Sequence, residues 1–93
     1  MAWFTVDTTY TDDAALLAAA RPAHREWLAG HVESGRVLGG GPWADGSGGF
    51  FILAAEDAAE VDSLLADDPY TGGVASSRVI REWTIVLGPW AAQ

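Results

Sequence analysis

Two hydrophobic periods alternate along the chain and divide it into six elements. Residues 3–9, Trp-Phe-Thr-Val-Asp-Thr-Thr, are rich in β-branched and aromatic side chains and predict a first strand. Thr11, Asp12 and Asp13 then offer a hydroxyl cap followed by acids at the positive end of a helix dipole. The Ala- and Leu-rich run of residues 14–20 has high helix propensity, but Pro22 removes one helical hydrogen bond and crowds the preceding turn. The expectation is a short helical lead-in, then a main helix from about Arg21 and Pro22 to Ser34. Gly35 is its stop.

Residues 36–42 predict a second strand with a glycine-rich end. The turn cluster of residues 45–49 joins it to a third strand, residues 50–55, as a hairpin. Asp57 and Glu60 have capping-box spacing and open a second helix through Val61, Leu64 and Leu65. A polar break at residues 67–73 precedes a last strand, residues 78–87. Pro89 stops further pairing and leaves residues 90–93 as a tail. The order β-α-β-β-α-β is the ferredoxin-like pattern of the α+β class: a four-stranded antiparallel sheet with both helices on one face. Residues 1–93 form one domain.

A sheet covered on one side should alternate apolar and polar positions. The third strand does not alternate. Phe50, Ile52 and Ala54 occupy one face, and Phe51, Leu53 and Ala55 the other. The last strand likewise sets Trp83, Ile85 and Leu87 against Ile80, Thr84 and Val86. Both faces need cover, so the pattern predicts a homodimer with sheets face to face.

Charge narrows the partners. The net charge is −8, with five Arg and no Lys, so nucleic acid and anionic membrane surfaces are poor partners. No apolar stretch is long enough to span a bilayer, and the first residues carry no basic segment before an apolar one. A cytoplasmic protein is expected. There is no Cys, which removes thiolate nucleophiles and thiolate metal sites together.

Several motifs fail on context. Residues 39–44 formally fit the Gly-x-Gly-x-x-Gly/Ala dinucleotide pattern, but Pro42 and a turn follow where a helix is required. A phosphate loop ending in Gly-Lys is impossible without lysine. His24 and His31 are two helical turns apart, too distant to chelate one ion directly. Ser47 lies outside a nucleophile elbow. Neither a metal nor a cofactor is expected.

What remains is Arg21-Pro22-Ala23-His24. On a helix Ala20, Ala23 and Trp27 form the packed stripe, and His24, Leu28 and His31 run along its border. A border histidine reads two ways: as an ordinary surface residue, or as a proton-transfer group at a cleft. Arg21, one turn earlier, could hold an anion beside it. Asp68 is also double. Before Pro69 it suits the N-cap of a short helix, or it orients an imidazole and stabilises its protonated form.

Taken together, Arg21-Pro22-Ala23-His24, Gly35-Arg36-Val37-Leu38 with Gly41-Pro42, Asp67-Asp68-Pro69-Tyr70 and Arg81-Glu82-Trp83 resemble the YciI-like (YCII-related) family. The resemblance covers nearly the whole chain. It implies a ferredoxin-like fold, dimers of the α+β barrel type and a His–Asp catalytic centre. On this chain that centre falls at His24 and Asp68, with Arg21, Gly41, Pro42 and Tyr70 lining the cleft. Trp43 stands where smaller residues are common and would narrow the pocket. Glu82 stands where a proline or apolar residue is frequent.

The expected function is that of a small cofactor-independent enzyme. His24 serves as acid or base, Asp68 orients it, and Arg21 holds an anionic or enolic oxygen during elimination, isomerisation or hydrolysis of a small organic compound. The alternative is a non-catalytic dimeric module binding a small molecule or a protein in the same cleft. A buried His–Asp pair favours the first; a solvated His24 favours the second.

Overall fold

The computed structural model describes residues 1–91. Its elements are β1 (Ala2–Tyr10), α1 (Ala14–Glu33), β2 (Val37–Pro42), β3 (Gly48–Ala55), α2 (Ala58–Leu65) and β4 (Ala75–Trp83). The four strands form one antiparallel sheet in the order β2-β3-β1-β4. This is the predicted α+β, ferredoxin-like arrangement. The expected tail ends at Ala92 and Gln93, which lie outside the described residues.

Register explains the core. Val6 pairs with Phe51 and Phe4 with Leu53, so these four side chains share one face. There they pack with Val61 and Leu65 of α2 and with Trp27 and Leu28 of α1. Both helices therefore cover the same side of the sheet. The opposite face carries Phe50, Ile52 and Ala54, as the lack of alternation in this strand predicts. In β4 the pairing Trp3–Trp83 puts Trp83 on that face, and Val79 joins it across from Asp7.

Helix α1 departs from its expected course. It is one continuous helix with Pro22 inside it, not a lead-in followed by a second start. Pro22 leaves the Ala18 carbonyl without a donor, but both residues are exposed, so water can reach that carbonyl. The cap is Asp13, whose Oδ1 accepts from the Leu16 N–H at 3.0 Å, while Thr11 Oγ1 braces the Asp13 N–H. The helix ends as expected. Gly35 sits at φ 83°, and Arg36 N–H and Gly35 N–H bond back to the His31 and Val32 carbonyls.

The capping box of α2 is shifted by one residue on its return bond. Asp57 Oδ1 accepts from the Glu60 N–H, while Glu60 Oε1 reaches the Glu56 N–H instead of that of Asp57. The same Oε1 accepts from Arg36, which ties the start of β2 to α2.

The last strand is displaced from its expected span of residues 78–87: it begins three residues earlier, at Ala75. It stops at Trp83, and residues 84–87 lie outside the sheet. The β1–β4 ladder ends at the pair Trp3–Trp83. Val86 and Leu87 are left 72% and 85% exposed.

Candidate active site

The site begins with the buried stripe of α1. Leu17, Ala20, Arg21, His24, Trp27, Leu28 and His31 are its less exposed positions, spaced three and four apart. His24 lies at the centre of this stripe and is the buried residue of the helix, whereas Ala23 is exposed. The border position expected for His24 is thus corrected. The stripe is rotated toward the histidine because aromatic partners, which alanine cannot engage, line up on that side.

Those partners form a stack. Tyr70 lies on the imidazole with ring centres 3.7 Å apart and planes 7° from parallel. Trp27 lies 6.2 Å from the imidazole with its plane 23° from parallel, and Tyr10 meets Tyr70 edge-on at 5.4 Å. Tyr10 continues the helix-side alternation of Phe4, Val6 and Thr8 along β1. A side chain at Gly49 would put its Cβ 2.6 Å from the Tyr10 hydroxyl, so glycine at that position leaves room for the phenol.

Asp68 comes from the segment between α2 and β4. No short helix begins there. Its Oδ1 accepts from the Tyr70 N–H at 2.9 Å and its carbonyl accepts from Thr71 N–H, an Asx turn that the Asp-Pro-Tyr sequence favours. The N-cap expectation is therefore replaced by a turn, because Asp68 spends its side chain on the residue two positions on. That turn aims the carboxylate at α1. Asp68 Oδ1 lies 2.7 Å from His24 Nδ1, with the carboxylate side chain fully buried and the histidine side chain 11% exposed. Asp67 beside it is exposed.

A third member was not foreseen. Arg78 of β4 donates from Nη2 to Asp68 Oδ2 at 2.5 Å and from Nη1 to Thr71 Oγ1 at 2.6 Å. Its signal lay in the alternation of β4, which puts Arg78 on the same face as Ile80, beneath the helices. A cation on an inward face calls for a carboxylate. Burial lowers the pKa of the Arg78 guanidinium and the Asp68 charge opposes that shift, so the group stays charged.

A cleft of about 270 Å³ opens beside the imidazole. Arg21, Arg25, Leu28 and Tyr70 line it, with Thr8 and Tyr10 from β1. Gly40, Gly41 and Pro42 form its rim with Gly49 and the Phe51 side of the sheet. A Cβ at Gly40 would stand 2.5 Å from that of Phe51, so the strand needs glycine there. Of the residues expected from sequence, Arg21, His24, Gly41, Pro42 and Tyr70 meet at this cleft, and Asp68 stands directly behind His24. Trp43 does not narrow it. Its indole lies against Phe50 and donates to Asp7, which places it by the open face of the sheet.

The chemistry of the cleft follows from its polar atoms. His24 Nε2 has no hydrogen-bond partner among the described residues and is not sealed from solvent, so one ring nitrogen remains free at the cleft. Arg21 and Arg25 form no ion pair among the described residues. Burial, and then the neighbouring Tyr70, raise the pKa of Tyr10, which keeps its phenol a donor at neutral pH; Arg21 and Arg25 oppose that shift. No group of three or more metal-ligating side chains converges among the described residues. No helix there is long and apolar enough to cross a membrane.

A model of the YCII-related domain matches residues 1–84. The chain belongs to the YCII-related family. Among solved structures it is similar to 5-chloro-2-hydroxyhydroquinone dehydrochlorinase from Burkholderia phenoliruptrix AC1100, in complex with 2,5-dihydroxybenzoquinone. The likeness has a TM-score of 0.76 at 23% identity, over 87% of this chain and 92% of that one. At that identity it bears on the fold that the YCII-related domain adopts here. No match to the curated proteins reaches significance.

Proposed function

We propose that the cleft carries out proton transfer on a small organic compound, with His24 as the acid–base group and Asp68 orienting it. The observation that carries this reading is the buried 2.7 Å contact of His24 Nδ1 with Asp68, beside a second ring nitrogen free at the cleft. The carboxylate holds the proton on Nδ1, which leaves Nε2 with its lone pair toward a substrate. In an elimination, Nε2 takes a proton from the substrate and the released pair becomes the new double bond. The leaving group departs with its own pair, and Arg21 steadies the developing anionic oxygen. These steps call on side chains alone, so the proposal includes no cofactor.

The structural neighbour supports the substrate class. It is a dehydrochlorinase holding a dihydroxylated quinone, a flat, acidic ring. A cleft of this volume flanked by Arg21, Arg25 and Tyr10 suits such a ring. The alternative module would favour a solvated His24, and burial of the pair speaks for the enzyme.

The test is chloride release and loss of substrate absorbance from a panel of chlorinated hydroxyquinols. We expect turnover by the wild type and a fall of about 10²–10⁴ in His24→Gln. Identical slow rates with both proteins would refute the reading.

A further inference from the structure

One relationship lies outside the His–Asp pair. Asp68 serves two partners, not one. Its Oδ1 faces His24 and its Oδ2 accepts from Arg78, whose other nitrogen is anchored on Thr71. Arg78 is itself mostly buried, with 13% of its side chain exposed, and its Nε is buried without a partner among the described residues. An orphaned donor in a buried site is unfavourable. The ion pair with Asp68 and the bond to Thr71 hold the cation there despite that loss.

We propose that Arg78 is a positioning residue that occupies the Asp68 charge and so keeps His24 in its neutral, proton-accepting form. A carboxylate buried beside an imidazole with no other partner draws a proton onto the ring, because the ion pair is then the only way to balance the charge. Here the guanidinium already provides that balance. Protonating His24 would add a second cation to one buried carboxylate.

The groups around the ring point the same way. Arg21 and Arg25 approach from α1, Arg78 from β4, and the phenols of Tyr10 and Tyr70 from β1 and the Asx turn. Asp68 is the buried acid among them, while Asp67 faces solvent. Two of the five arginines of a chain with net charge −8 line the cleft, and a third holds the acid behind His24. The local field favours an anion in the cleft. The arrangement deepens the proton-transfer reading and rests on it for its purpose, but the protonation of His24 can be measured without a substrate.

Diethyl pyrocarbonate reacts with neutral imidazole, and His31 serves as a control in the same sample. At slightly acid pH, Arg78→Met should slow carbethoxylation of His24 by about tenfold relative to wild type, with His31 unchanged and the deficit closing as pH rises. Arg78→Lys, which keeps the charge, should recover most of the rate. A merely structural arginine would lower the melting temperature in both variants and leave the pH dependence of His24 where it was; that outcome overturns the proposal.

Ring nitrogen NMR of the wild type needs no variant. A bare Nε2 with a protonated Nδ1 is expected at neutral pH, and a doubly protonated ring would overturn the proposal even if Arg78→Met fails to fold. Absence of turnover on every compound tried would refute the enzyme reading alone and leave these measurements intact.

Discussion

The Tyr70 ring lies flat on the His24 imidazole, 3.7 Å away, while its own backbone N–H is bound to the acid behind that imidazole. One residue therefore roofs the histidine and fixes the carboxylate that orients it. Tyr70 is 2% exposed, so removing its ring leaves a void. Tyr70→Ala should cost about 3–5 kcal/mol in urea unfolding, whereas Tyr70→Phe keeps the stack and should cost under about 1 kcal/mol. Equal losses in the two variants would mean that the hydroxyl, not the stacked ring, carries the contribution.

Asp68→Asn gives a sharper contrast. As a turn former alone the residue would tolerate asparagine at a cost of about 1 kcal/mol or less. As the partner of a buried Arg78 it should cost about 3–5 kcal/mol, because a desolvated guanidinium loses its counter-charge. Adding Arg78→Gln to the variant should then recover part of the loss. A double variant less stable by the full sum of the two single changes would show that the residues are not coupled.

The Arg36–Glu60 pair sets an acid-side dependence. The Arg36 hydrogen bond, and then the Glu56 N–H, lower the pKa of Glu60 below its ordinary value of 4.5. A lowered carboxylate contributes stability above its unfolded value and loses it as pH falls through the folded one. Glu60→Gln should therefore be less stable than wild type at neutral pH, with the gap beginning to close as pH drops below 4.5 and absent once the folded value is passed. Urea midpoints across that range, with m-values checked for constancy, provide the measurement.

We also expect a homodimer through the open face of the sheet. Val79 is 57% exposed there, and Trp83 lies further along the same face of β4 with Arg81 between them. Multi-angle light scattering at micromolar concentration should return twice the 9.8 kDa chain mass. Val79→Glu should shift the protein to monomer, since a buried unpaired charge opposes the interface. A wild type that already runs as a monomer would end this expectation.

Hydrophobic period and turn chemistry determined the order of elements, the hairpin, the Gly35 stop and the two-faced third strand. These depend on local steric rules and on alternation within a few residues, which a sequence displays directly. The partners of a side chain are another matter. Pro22 reads as a helix break because it removes a local bond. Tertiary packing of the stripe from Leu17 to His31 keeps the helix whole across it. Residues 84–87 read as strand because their pattern fits one, but a strand exists only against a partner, and the β1–β4 ladder ends at Trp3–Trp83. His24 and Asp68 stood out by residue type and family motif. That they touch across 44 positions, and that Arg78 takes the other oxygen of the acid, was decided by the register of β4 against β1 and by a turn that reaches α1. Such contacts arise from where the sheet and helices place each side chain, and a linear pattern does not record those distances.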